Sequence, residues 1–161
     1  MADLTTLEEK LAEVTGLAGA AQEATKKVES LFEDNSSLVE SLQKMRAEAE
    51  ETESRCVALA EQRDGKKTAI LEKAQETKNE ATEMMRTYLS EDSDELDGFE
   101  FLTMAEAGEV GHWAILDKLN EKAGEDGVRE LTEWALPIQE RHLTDVRDGS
   151  LELAAAEDPS S

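Results

Sequence analysis

One cysteine, two prolines, nine glycines and an aromatic content of 4% in 161 residues are the first facts of this chain, and each scarcity excludes something. Cys56 alone makes no intramolecular disulfide, and its place on an apolar stripe reads as a small buried hydrophobe. With so few prolines and glycines the chain has few helix breakers, and without alternating β-branched runs it offers no strand. No apolar run approaches the ~20 residues that span a bilayer, and the amino terminus is acidic and amphipathic, unlike a leader. The expectation is a cytoplasmic protein that does not enter membranes. Basic residues are also short, with 17 Lys and Arg against 39 Asp and Glu, a formal net charge of −22. Nucleic-acid affinity rests on concentrated cations, so no nucleic-acid partner is expected.

What remains is helix-forming. The charged fraction of 35% is mostly Glu, Lys and Arg, and the fold class that follows is all-α. Thr5 and Thr6, each three residues before Glu8 and Glu9, have capping-box spacing, and a helix runs from there to about Asp34. Its stripe is Leu7, Leu11, Val14, Ala18, Ala21, Thr25, Val28 and Phe32, with Gly16 and Gly19 off the seam. Ser37 and Glu40 open a second helix, which carries Leu38, Leu42, Met45, Ala49, Thr52, Cys56 and Leu59 and stops at Asp64-Gly65. The short connection makes these two antiparallel neighbours. A third segment, Lys66 to Leu89, reaches roughly 36 Å at ~1.5 Å per residue, long enough for a crossover. A fourth helix ends near Gly124. The fifth starts at Asp126 or Gly127, contains Pro137 and reaches Asp148-Gly149. One domain, 1–149, followed by a short flexible acidic tail, 150–161, is the resulting organisation.

Chemistry enters on the fourth helix. Steps of four and three from Leu102 give Leu102, Glu106, Glu109, Trp113 and Leu116, so two carboxylates stand where hydrophobes belong. An unpaired buried carboxylate costs several kcal/mol, so such groups are neutralised, paired or bound to metal. Two-metal sites in helical bundles use Glu residues and Glu-x-x-His pairs projecting inward from successive turns. Glu109 and His112 have that spacing. On the last helix His142 shares a stripe with Ile138 and Val146, beside Glu140, and the second helix offers Glu48 and Glu51. The candidate metal ligands are Glu106, Glu109, His112, Glu140, His142, Glu48 and Glu51.

The segment Met104 to Gly124, the later Gln139-Glu140-Arg141-His142, and the acidic run from Glu48 to Arg55 resemble the ferritin-like superfamily, in its rubrerythrin-like and bacterial stress-induced branches. The resemblance implies a four-helix bundle with a long crossover between its second and third helices, and a di-iron or di-manganese centre handling oxygen, peroxide or iron in stress. Against the family pattern Glu51 stands where an imidazole is expected, Leu143 follows Glu140 by three, and the first-helix Glu aligns near Gln22 or Glu23.

Two functional readings follow. In one, the core holds one or two metal ions, iron or manganese, and the protein is a metal-dependent oxidoreductase acting on oxygen or peroxide, or handles iron. In the other, the chain is a metal-free ferritin-like scaffold, a structural or interaction module that pairs as a homodimer. An acidic mimic of nucleic acid is disfavoured, because lysines are interspersed among the acids.

Overall fold

Thr5 begins the first helix by accepting a hydrogen bond from the Glu8 backbone while Glu8 reaches back to the Thr5 N–H, which satisfies two otherwise free donors. The computed structural model describes residues 2–161, and among them it contains five helices: α1 (Thr6–Glu29), α2 (Ser37–Glu61), α3 (Lys67–Tyr88), α4 (Glu95–Ala123) and α5 (Asp126–Ala155). Asp94 and Asp97 form a second capping box at the start of α4, and Gly124 ends α4 in the left-handed region, at φ 64°. There are no strands among the described residues, and no helix is long and apolar enough to cross a membrane.

Side-chain pairings fix the directions. Glu29 meets Arg46, Gln22 meets Glu53 and Glu8 meets Arg63, so α2 runs antiparallel to α1. Val28 lies against Gly98 and Glu13 against His112, so α4 is also antiparallel to α1. Helix α5 opposes both α2 and α4, through Leu38 with Gly149, Glu48 with His142, and Thr103 with Ser150. Gly16 sits against Ala74 and Glu23 against Lys78 and Thr82, which makes α3 parallel to α1. The four bundle helices α1, α2, α4 and α5 therefore run up, down, down and up, and α3 carries the chain back along the outside between α2 and α4.

Two apolar clusters fill the bundle at different heights. One gathers Leu11, Val14, Cys56, Trp113, Leu116 and Ala135; the other gathers Val28, Leu42, Met45, Phe99, Leu102 and Val146. Along α4 the chain passes from Leu102 through Glu106 and Glu109 to Trp113, so a polar layer separates the two.

Three sequence expectations change. Helix α1 stops at Glu29, with Leu31 and Phe32 in hydrogen-bonded turns back to Val28 and Glu29. Gly16 and Gly19 face α3 instead of lying idle: a methyl group on Gly16 would collide with the Ala74 carbonyl, and one on Gly19 would lie 2.7 Å from Glu53 Oε2. Helix α5 continues through Gly149 to Ala155, because Gly149 is buried where a Cβ would sit 2.5 Å from Phe99 Cε2. The tail beyond 150 is thus helical for its first half.

The close approach of α1 and α3 makes a direct prediction. Gly16→Val should lower stability by about 1–3 kcal/mol through overpacking. Gly111→Ala, at an exposed helical glycine with nothing within 4 Å, should raise it by about 0.5–1 kcal/mol. Urea unfolding of both variants against the parent checks the pair; equal midpoints would mean that α3 does not sit on Gly16.

Candidate functional site: a carboxylate layer in the bundle core

The polar layer is built from three helices. Glu106 and Glu109 on α4 are 2% and 4% exposed, and α5 places Gln139 and His142, also buried, against them. Their spacing explains this: 135, 139, 142 and 146 continue the inward four-three-four stripe of α5, from Ala135 to Val146. With its amide nitrogen turned inward, Gln139 donates to Glu109 Oε2 at 3.0 Å and to Glu106 Oε2 at 3.2 Å. His142 Nδ1 lies 3.9 Å from Glu106 Oε2, and its Nε2 lies 3.1 Å from Glu48 Oε1. Glu48, half-buried on α2, also takes a two-pronged ion pair from Arg141. The hydrogen-bonded order across the core is Arg141, Glu48 and His142, with the Glu106–Glu109–Gln139 triangle beside it.

Electrostatics divides this layer in two. Burial drives Glu106 up to about 8 and raises Glu109 well above the carboxylate range, with the neighbouring Glu106 charge adding to the effect on Glu109. The pair is therefore held toward its protonated form. Burial pushes Glu48 upward too, but hydrogen bonds from Arg141 and His142 outweigh it and hold Glu48 below the usual range. His142 is lowered by burial against the raising pull of Glu48, which favours the neutral imidazole. Cys56, on the apolar side of the layer, is pushed by burial up to about 12, as suits a packing thiol.

Of the seven residues expected from sequence, the structure brings together Glu106, Glu109, His142 and Glu48 and leaves out three. Each three-residue step on a helix falls about 60° short of a full turn, so the second step from Glu106 carries His112 roughly 120° around α4. There it is partly exposed, with Nδ1 3.2 Å from both Glu13 Oε2 and Lys10 Nζ on α1. Glu51 is likewise carried out to solvent, where Arg55 pairs with it at 3.0 Å, while Thr52 takes the inward position. Glu140 is exposed because it lies two residues, about 200°, from His142. Gln139 and Arg141 are the functional neighbours that sequence reasoning missed. Gln139 was reachable as the residue four after Ala135; the Arg141 pairing with Glu48 had no local signal.

The α1 residues that share a lining with Glu106 and Glu109 are Leu17, Ala20, Ala21, Ala24 and one carboxylate, Glu13, which is paired with Lys10 and His112. Of the two residues expected near a first-helix ligand position, Gln22 hydrogen-bonds Ala18 and Glu53, and Glu23 meets Lys78 and Thr82 on α3. Among the described residues no group of three or more His, Cys, Asp and Glu is arranged to hold a metal ion. No known protein family matches the chain, and no curated protein matches it.

The pKa directions set a pH profile for stability. Glu106 and Glu109 bind protons more tightly folded than unfolded, so their contribution is full below about 4.5 and is lost as pH rises toward about 8. Glu48 and His142, both lowered, act oppositely and lose their contributions as pH falls below about 4.5 and 6.5. Stability in chelator should therefore be greatest in the mildly acid range. Glu106→Gln with Glu109→Gln should remove the decline between pH 6 and 8, worth a few kcal/mol at most at ~1.4 kcal/mol per unit. Parallel profiles for parent and variant would show the pair to be solvated.

Proposed function

We propose that the chain is a ferritin-like bundle that holds a single hard divalent cation in its core, chiefly through Glu106, Glu109, His142 and the Gln139 amide, with Glu48 alongside. The up-down-down-up order with one long connection after the second bundle helix supports the fold half of this reading, since it is the ferritin-like arrangement of four-helix bundles. The observation that carries the functional half is the Glu106–Glu109–Gln139 triangle. Two carboxyl groups one helical turn apart, 2% and 4% exposed, meet the Gln139 amide there beside the buried His142, with no Lys or Arg within 4.0 Å of either among the described residues. Carboxylate and amide oxygens are the donors that manganese, magnesium and calcium prefer, and one imidazole suits manganese or iron as well.

The donor set does not fit a two-metal centre. The one α1 carboxylate on this side, Glu13, is paired with Lys10 and His112, α5 brings an amide in place of an acid, and Arg141 already engages Glu48. A cation here, if manganese or iron, would supply redox chemistry toward oxygen or peroxide, and any divalent ion would supply Lewis acidity. The chain's own part is to hold carboxylates dry, to keep His142 neutral and oriented by Glu48, and to hold Glu48 in place with Arg141.

A second reading rests on the Gln139 amide itself. With nitrogen inward, Gln139 satisfies both carboxylates and closes the layer without an ion, and the protein is then a metal-free scaffold.

One experiment separates the two. Chelator-treated protein melted with and without Mn²⁺ should gain several degrees with the ion, because occupancy at 100 times Kd is worth about 2.7 kcal/mol. Glu109→Gln should abolish the gain, whereas His112→Ala and Glu140→Gln should keep it. A melting temperature that ignores Mn²⁺, Fe²⁺, Mg²⁺ and Ca²⁺ alike would establish the metal-free reading.

A further inference from the structure

Helix α3 is buried mainly in its first half. Ala69, Ile70 and Ala74 are its buried residues, while Met84 and Tyr88 near its end are 51% and 58% exposed. Between α1, α3 and α4 lies an apolar groove of about 340 Å³. Its walls include Leu17, Ala21 and Ala24 of α1, Met85 of α3, and Phe101 and Leu102 of α4, and the exposed side chains of Met84 and Met104 stand in its lining.

The volume lies at the small end of the range for small-molecule sites, and the lining is apolar with a few polar groups, as such sites are. A partner helix, about 10–12 Å across with its side chains, asks for more room than this. A second copy of the chain brings another net charge of −22 to the same face. The polar groups of the lining decide the ligand's chemistry. Glu13, Glu80, Glu106 and Glu109 line the groove, against Lys73 as the one Lys or Arg there. Glu109 has no cationic partner within 4.0 Å among the described residues, and Glu106 has only His142, at 3.9 Å.

We propose that this groove binds an amphiphilic organic cation, an amine with an apolar tail, whose ammonium group is drawn to Glu106 and Glu109 and whose tail runs from there along Ala24, Met85 and Phe101. The ammonium supplies the cationic partner that neither the Gln139 amide nor the neutral His142 gives these groups, and the methionines adapt to the tail. The site goes beyond cation binding in the core and stands without it, because it needs the carboxylates and the groove but no metal.

The test uses decylamine, decanol and decanoate, titrated calorimetrically below their aggregation limits into full-length protein kept in chelator. Decylamine should bind about tenfold or more tightly than decanol, equivalent to ~1.4 kcal/mol, and decanoate should bind weakest. Ala21→Trp, which fills the groove, should weaken all three. Glu106→Gln with Glu109→Gln should bring decylamine down to the affinity of decanol. Failure of all three probes to bind, or equal affinities for amine and alcohol, would overturn the proposal. So would amine binding that survives both variants, since scattered surface acids would then be responsible. Should the double variant not fold, Ala21→Trp and the three-probe comparison still decide. Chelator throughout keeps the outcome separate from that of the metal titration.

Discussion

Burying two carboxylates one helical turn apart is the constraint around which this molecule is arranged. Each ionised carboxylate in an apolar interior costs several kcal/mol unless it is compensated. Glu106 and Glu109 are both almost fully buried, and each makes ionisation of the other harder. The structure answers by placing an amide against both and a neutral imidazole beside one. The fixed charge is handed outward to Glu48, which sits nearer solvent and is held by Arg141. An interior filled only with hydrophobes would be easier to stabilise, so the cost of this layer is the reason to look for its use there.

The apolar clusters above and below give the layer its setting. Leu102 and Val146 close it on one side, and Trp113 and Ala135 on the other, so water reaches it poorly and electrostatic effects are strong. The crossover completes the environment from outside. Its buried residues Ala69, Ile70 and Ala74 lie in its first half, where Gly16 admits the Ala74 carbonyl, and the groove beside the carboxylates is lined jointly by α1, α3 and α4. Core chemistry and surface groove therefore share α4: its inward stripe carries the acids, and the adjoining face carries Phe101 and Met104.

Much of the fold was legible in the residues. The Thr5–Glu8 capping box, the Gly124 stop and the three-four stripes located the helices because these signals act within a few residues of one another. The errors fell where the deciding contact was distant. Gly149 looks like a terminator in sequence, yet it is a packing glycine, and only Phe99, fifty residues away, makes it so. The small residues Gly16 and Gly19 seemed idle because their partner α3 is not implied by any local pattern. In the site, His112 and Glu140 had the right residue types near the right spacing, but helical phase turned both away from the layer.

By itself, then, the sequence determined that the chain is helical, where its helices lie, and that α4 must bury two acids, because these depend on periodicity and composition within a single segment. The tertiary structure alone decided which residues meet those acids. Gln139, His142 and Glu48 converge because antiparallel packing brings α2, α4 and α5 into register at one height, a relation between helices that no single stripe encodes. The groove is likewise a relation between helices, lined jointly by residues of α1, α3 and α4 that are distant in sequence.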